Sequence, residues 1–168
     1  MANPLENEAE IYERIKDEKI GIDPLIWEVI YRDVGDSISA INLIIANSVE
    51  FNEPIPVADA GRILIYTKRI NEVFNKLIHP ETICDQGGLL AKIKNGHIEL
   101  NPLVKELFAH YVANDNCAIN FCLSYYLDPG YEEPVPVTEA QKIFDHARSM
   151  SGFLERLRTA VKKGDSRF

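Results

Sequence analysis

Apolar residues recur three or four positions apart along most of the chain. Ile30, Val34, Ile38, Ile41, Ile45 and Val49 form one such stripe, and Phe108, Val112, Ile119, Leu123 and Leu127 form another. This spacing predicts amphipathic α-helices. Each stripe is preceded by a start signal, Asp23-Pro24 in one case and Asn101-Pro102 in the other. Asp or Asn at the N-cap accepts a bond from a free backbone N–H. Proline at the first helical position lacks only a donor that had no partner there. The two helices are expected to stop before Pro54 and Pro129, because the residue before proline avoids helical angles.

A second pair of stripes follows. Ala60, Ile63, Leu64, Thr67, Ile70, Phe74 and Leu77 are matched by Ala140, Ile143, Phe144, Ala147, Met150, Leu154 and Leu157. Their helices are expected to begin around Asp59 and Thr138, with Thr138 and Gln141 as a capping box. Asp59/Arg62 and Glu139/Lys142 place acid before base at i, i+3, which suits a solvated helix start.

The pattern is written twice. Glu53–Ile63 reads EPIPVADAGRI and Glu133–Ile143 reads EPVPVTEAQKI, 80 positions on. Asp23–Asn42 aligns without a gap on Asn101–Asn120 at an offset of 78, and Glu13–Ile20 falls on Ala91–Ile98 at the same offset. The two extra residues lie within the YLDPGYEEP connection, which is longer than VEFNEP in the first copy. We read a tandem duplication within one domain spanning 1–168, with repeats at about 11–78 and 89–158.

Each repeat is a helical hairpin preceded by a short element. In the first copy that element is expected to be a helix over roughly Glu6–Glu18. In the second, residues 89–100 are open between two forms, since Asn95-Gly96 suits either a helix C-cap or a type I′ hairpin turn. Alignment with the first copy favours helix. The trailing KIGI and HIEL segments are candidates for pairing across a pseudo-dyad. One hairpin cannot bury its own stripe, whereas two equivalent hairpins can bury theirs against each other. The expected fold is therefore all-α, a pseudo-twofold four-helix bundle of two tandem helical hairpins.

Composition narrows the function. A formal net charge of −8 argues against nucleic acid, whose phosphates require clustered Lys and Arg. No apolar run approaches the ~20 residues that span a bilayer, so no membrane role is expected. MANPLENEAE has neither the basic start nor the apolar core of a signal peptide. Three cysteines, Cys84, Cys117 and Cys122, without CxxC spacing read as reduced thiols in a cytoplasmic protein. Cys117 and Cys122 are expected as fillers on the flank of the core.

Catalytic and metal signatures are not found in the sequence. The histidines, His79, His97, His110 and His146, form no Glu-x-x-His pair, the motif of di-iron bundles, and there is no HExxH. Glu106 and His110 stand one turn apart, but their counterparts Glu28 and Arg32 read as an ordinary i, i+4 ion pair. No cofactor and no metal are expected. Trp27 is expected as a core or interface residue.

The middle of each long helix carries polar, poor helix formers, RDVGDSIS at Arg32–Ser39 and HYVANDNC at His110–Cys117. A wheel drawn through Val34, Ile41 and Ile45 turns Asp36 and Asn114 outward. It places Ser37 and Asp115 about 60° from the core direction, and Asn42 and Asn120 on the opposite edge. These residues are either solvated or mutually bonded structural groups, or they form a polar contact centre of Asp115, Asn42, Asn120 and Ser37. On the structural reading, Arg148 or Lys68 of the second helices supplies the charge opposite Asp115. The back of the long helix is apolar at Leu25, Val29, Ala40 and Leu43, and again at Leu103, Leu107, Ala118 and Phe121. The short helix of each unit should cover part of it.

The expected function is a non-enzymatic helical interaction or regulatory module that forms a homodimer, with Phe121, Tyr125 and Leu43 at the interface. The alternative is a small-molecule-binding or enzymatic bundle that uses the Asp/Asn centre.

Overall fold

Asp23 and Asn101 cap their helices as the sequence requires. Each side chain accepts a hydrogen bond from the N–H two residues on, at 2.8 Å from Leu25 and 2.9 Å from Leu103. The computed structural model describes residues 8–84 and 87–164, with side chains as far as Val161. In order the helices are α1 (Glu8–Asp17), α2 (Pro24–Val29), α3 (Asp36–Phe51), α4 (Val57–Ile78), α5 (Gly88–Asn95), α6 (Pro102–Phe108), α7 (Asn114–Tyr126) and α8 (Val137–Gly164). A 3₁₀ turn at Pro80–Thr82 follows α4. The protein is all-helical, and no strand occurs among the described residues.

α2 passes into α3, and α6 into α7, through π-helical turns at Ile30–Gly35 and Ala109–Ala113. In the first, the N–H of Asp36 donates to the carbonyl of Tyr31, five residues back. A π turn takes in about one extra residue, which rotates everything after it by about 100° relative to a continuous α-helix. This corrects the wheel drawn from sequence, because Val34 lies inside the π turn while Ile41 and Ile45 lie beyond it. Ser37 is therefore not at the edge of the core but within it, 1% exposed. Asp36 and Asn114 are exposed.

The short element before the second long helix is helical, which closes the question over residues 89–100. Both short helices end in the same way. Lys19 and His97 take left-handed φ angles of 51° and 49°. The next N–H reaches back five residues, Ile20 to the Ile15 carbonyl at 2.9 Å and Ile98 to the Ile93 carbonyl at 3.1 Å, the bonding of a Schellman cap. Gly96 itself stays right-handed. Of the helix expected at Glu6–Glu18, residues 6 and 7 lie outside the described residues. α4 and α8 start at Val57 and Val137 rather than at Asp59 and Thr138. Gln141 donates to Asp145 at 3.0 Å, one turn onward, away from Thr138.

α3 packs against α4 and α8, and α7 packs against the same two helices. The short helices cross over. α1 lies on α6 and α8, and α5 lies on α2, so each covers the other half of the chain rather than its own long helix. The core runs the length of this arrangement through Ile15, Ile41, Ile63, Ile70, Phe108, Ile119, Met150 and Phe153, all fully buried. Each such side chain contributes about 1.5–3 kcal/mol by leaving water.

The two Pro-rich corners meet each other. Ile55 and Val135 form an isolated antiparallel bridge. The N–H of each donates to the carbonyl of the other at 2.9 Å, and both side chains are buried. KIGI and HIEL, the candidates for pairing, form no bridge; the bridge occurs at the corners instead.

Candidate functional site

The structure does not gather the four predicted polar residues into one centre. Ser37 donates its hydroxyl to the Asp33 carbonyl in the preceding turn. Asn42 on α3 donates to Ser151 Oγ on α8 at 3.0 Å, and its own carbonyl oxygen is buried without a partner. Asp115 on α7 meets His146 Nδ1 on α8 at 2.9 Å. Asn120 accepts a long bond of 3.4 Å from Ser124 on its own helix. Each residue bonds a different neighbour. The counterpart of Asp115 is thus His146, whereas Arg148 lies over the Phe144 ring, 5.5 Å from its centroid, and Lys68 is exposed. Arg32 likewise pairs with Asp33 at 3.1 Å rather than with Glu28.

Asp33 and Asn116 are buried polar side chains that the sequence reading passed over. Asp33 is only 7% exposed, and it accepts hydrogen bonds from Arg32 at 3.1 Å and from Arg69 on α4 at 2.9 Å. Burial pushes its carboxyl pKa up, but the hydrogen bonds and charges of the two guanidinium groups outweigh this and hold it below the ordinary range. Asn116 is fully buried. It donates at 2.8 Å both to the Thr67 carbonyl and to Asn71 Oδ1 on α4. A signal for it was available, since Val112, Asn116, Ile119 and Leu123 continue one helical stripe.

The seam between α7 and α8 opens to the surface as a groove of about 430 Å³. Two polar rungs cross between the helices. Cys122 Sγ donates to Glu139 Oε2 at 3.4 Å, and Asp115 meets His146. The rungs are seven residues apart on each helix, about 10 Å at 1.5 Å per residue, so His146 does not act on Cys122. Burial, and then Glu139, push the Cys122 thiol pKa up to about 12. It stays protonated near neutrality and is a poor nucleophile. Hydrogen bonding to Lys142 at 2.8 Å holds the Glu139 carboxyl below its ordinary range and raises the lysine in turn. Cys117, expected beside the core, is exposed.

The outer wall of this groove is aromatic. Phe121 is 84% exposed and Tyr125 61% exposed, and Tyr125 sits against Tyr126 and Tyr131 with ring centroids 5.0 and 5.5 Å apart. Leu43, at the position of α3 aligned with Phe121, is 75% exposed. It borders a shallower groove between α3 and α8 that also contains Asn42 and Arg148. No cluster of three or more His, Cys, Asp or Glu side chains able to hold a metal ion occurs among the described residues. No described helix is long and apolar enough to cross a membrane. The chain matches no family model, no curated protein and no solved structure.

Proposed function

We propose that the chain is a pseudo-twofold four-helix bundle of two tandem hairpins, and that it acts as a non-enzymatic interaction or regulatory module, self-associating as a homodimer in the cytoplasm. Support for the architecture comes from features recurring at the sequence offset: the Asp23 and Asn101 caps, the paired π turns, the Lys19 and His97 stops, and the way α3 and α7 share α4 and α8. Exposed free thiols at Cys84 and Cys117 suit a reducing compartment.

The observation that carries the interaction reading is the outward face of α7. Phe121 and Tyr125 stand in solvent on a helix whose single charged residue, Asp115, is turned to His146. Exposed aromatic surface of this kind, free of charge, is the composition of an interface centre. The rival reading, a ligand centre at Asp115, Asn42, Asn120 and Ser37, has weaker support. The Asp115 carboxylate already has a partner within the chain, and the four residues share no hydrogen-bonding partner. Sedimentation velocity at micromolar concentration is expected to give twice the chain mass. A clean monomer there would overturn the self-association.

A further inference from the structure

The α7/α8 groove has the spacing of a helix receptor. On α7 it is lined by Ala118, Phe121, Cys122 and Tyr125, at i, i+3, i+4 and i+7. Four residues so spaced form the hole that accepts one side chain of a facing helix. From the other side α8 presents Glu139, Lys142, Ile143 and His146, at the same spacing. A groove built this way by both helices fits a third helix rather than an extended segment, whose side chains repeat every two residues.

Charge selects the occupant. Two copies of a chain with net charge −8 repel one another, so their contact must not set like charges opposite each other; on the α8 wall Glu139 is already paired with Lys142. The exposed residues of α7, Asn114, Cys117, Phe121, Ser124 and Tyr125, are all uncharged, whereas α3 exposes Asp36 and Glu50. α7 is thus suited to meet a second α7. Symmetry then selects the register. In a twofold contact, residue i touches the partner's j while j touches the partner's i. A single side chain can fill the hole in both directions only if it lies beside the hole's own centre, which falls between residues 121 and 122, and Phe121 does.

We propose, resting on the self-association reading above, that two copies join through antiparallel α7 helices, with Phe121 of each in the hole Ala118–Phe121–Cys122–Tyr125 of the other. The twofold axis passes beside Phe121, and Cys117 faces the partner's Tyr125.

Disulfide trapping tests the register, since two cysteines join only when their Cα atoms lie within about 7 Å. The native thiols are first removed by Cys84→Ser, Cys117→Ser and Cys122→Ser, and Phe121→Cys is added. Oxidation with diamide is expected to yield a disulfide-linked dimer on a non-reducing gel. Leu43→Cys in the same background, a comparably exposed position on α3, is expected to remain unlinked. Because Phe121→Cys also removes the aromatic contact, Phe121→Glu is measured alongside by sedimentation. It should weaken dimerisation about 30-fold or more, the effect of losing one hot spot. If the unaltered chain sediments as a dimer, but Phe121→Cys links no better than Leu43→Cys and Phe121→Glu dimerises normally, the register is wrong and self-association stands. If the unaltered chain is a monomer, both fail.

Discussion

The two π turns hold their cores together by different chemistry. Where the first carries Asp33, the aligned position of the second carries Tyr111. Asp33 is clasped by Arg32 and Arg69, so the first turn is tied to α4 by charge. Tyr111 instead stacks on Phe153 of α8 with centroids 5.3 Å apart, and Arg156 stands 5.5 Å from its ring. Phe153 in turn meets Phe108, which stacks on Phe74, so the second turn is tied by an aromatic column. A few residues on, Ile38 of the first half is answered by Asn116 of the second, both buried. The same backbone departure thus recurs with unrelated side chains in it. The π turn does not require one kind of side chain inside it, since an ion pair serves in one half and stacked rings in the other.

If the frame is shared, truncating its matched centres should hurt both halves alike. Ile41→Ala and Ile119→Ala are each expected to cost about 2–5 kcal/mol in urea unfolding, the usual range for emptying a buried position. A large inequality between them would mean that the two halves do not share one core. The acid response should separate the halves. Asp33 has a folded pKa below its unfolded value, so its stabilisation is present above an unfolded pKa of about 3.9 and is lost as pH falls through the lower folded value. The melting temperature of the wild type should therefore drop below about pH 4 more steeply than that of Asp33→Asn. Parallel pH profiles would show that the Arg32–Asp33–Arg69 cluster contributes nothing. The smallest effect is expected at Asp36→Ala, within about 0.5 kcal/mol in the same unfolding assay, because Asp36 is exposed just past the π turn. A loss as large as that of Ile41→Ala would place Asp36 in the core, against the sequence wheel and the structure alike.

Features that depend on near neighbours in sequence were legible. The Asp23 and Asn101 caps follow from one side chain and the next two residues. The all-helical character, and the burial of Ile41 and Ile119, follow from a period the chain repeats. The π turns were not legible, since a shifted backbone bond leaves no residue type that demands it. The error propagated to Ser37, placed on a wheel that the turn had rotated. Partners across helices were equally hidden. Nothing local distinguishes His146 from Arg148 as the neighbour of Asp115, and nothing local sends α1 and α5 to the opposite half. Phe121, Tyr125 and Leu43 do lie exposed, because a stripe on the far side of an already amphipathic helix has fewer surfaces left to meet.

The repeated P-x-P corner restricts pairing as well as turning the chain. Proline has no N–H to donate. With Pro54 and Pro56 on either side of Ile55, and Pro134 and Pro136 on either side of Val135, one donor remains on each side, and both are used in the bridge. The ladder cannot lengthen into a sheet, and a one-residue slip would set a proline against a carbonyl with nothing to give it. No such edge is left for a stranger's strand to extend. The bridge's hydrogen bonds are main-chain bonds, so exposed neighbours such as Ala58 and Thr138 differ without disturbing the register of the two corners.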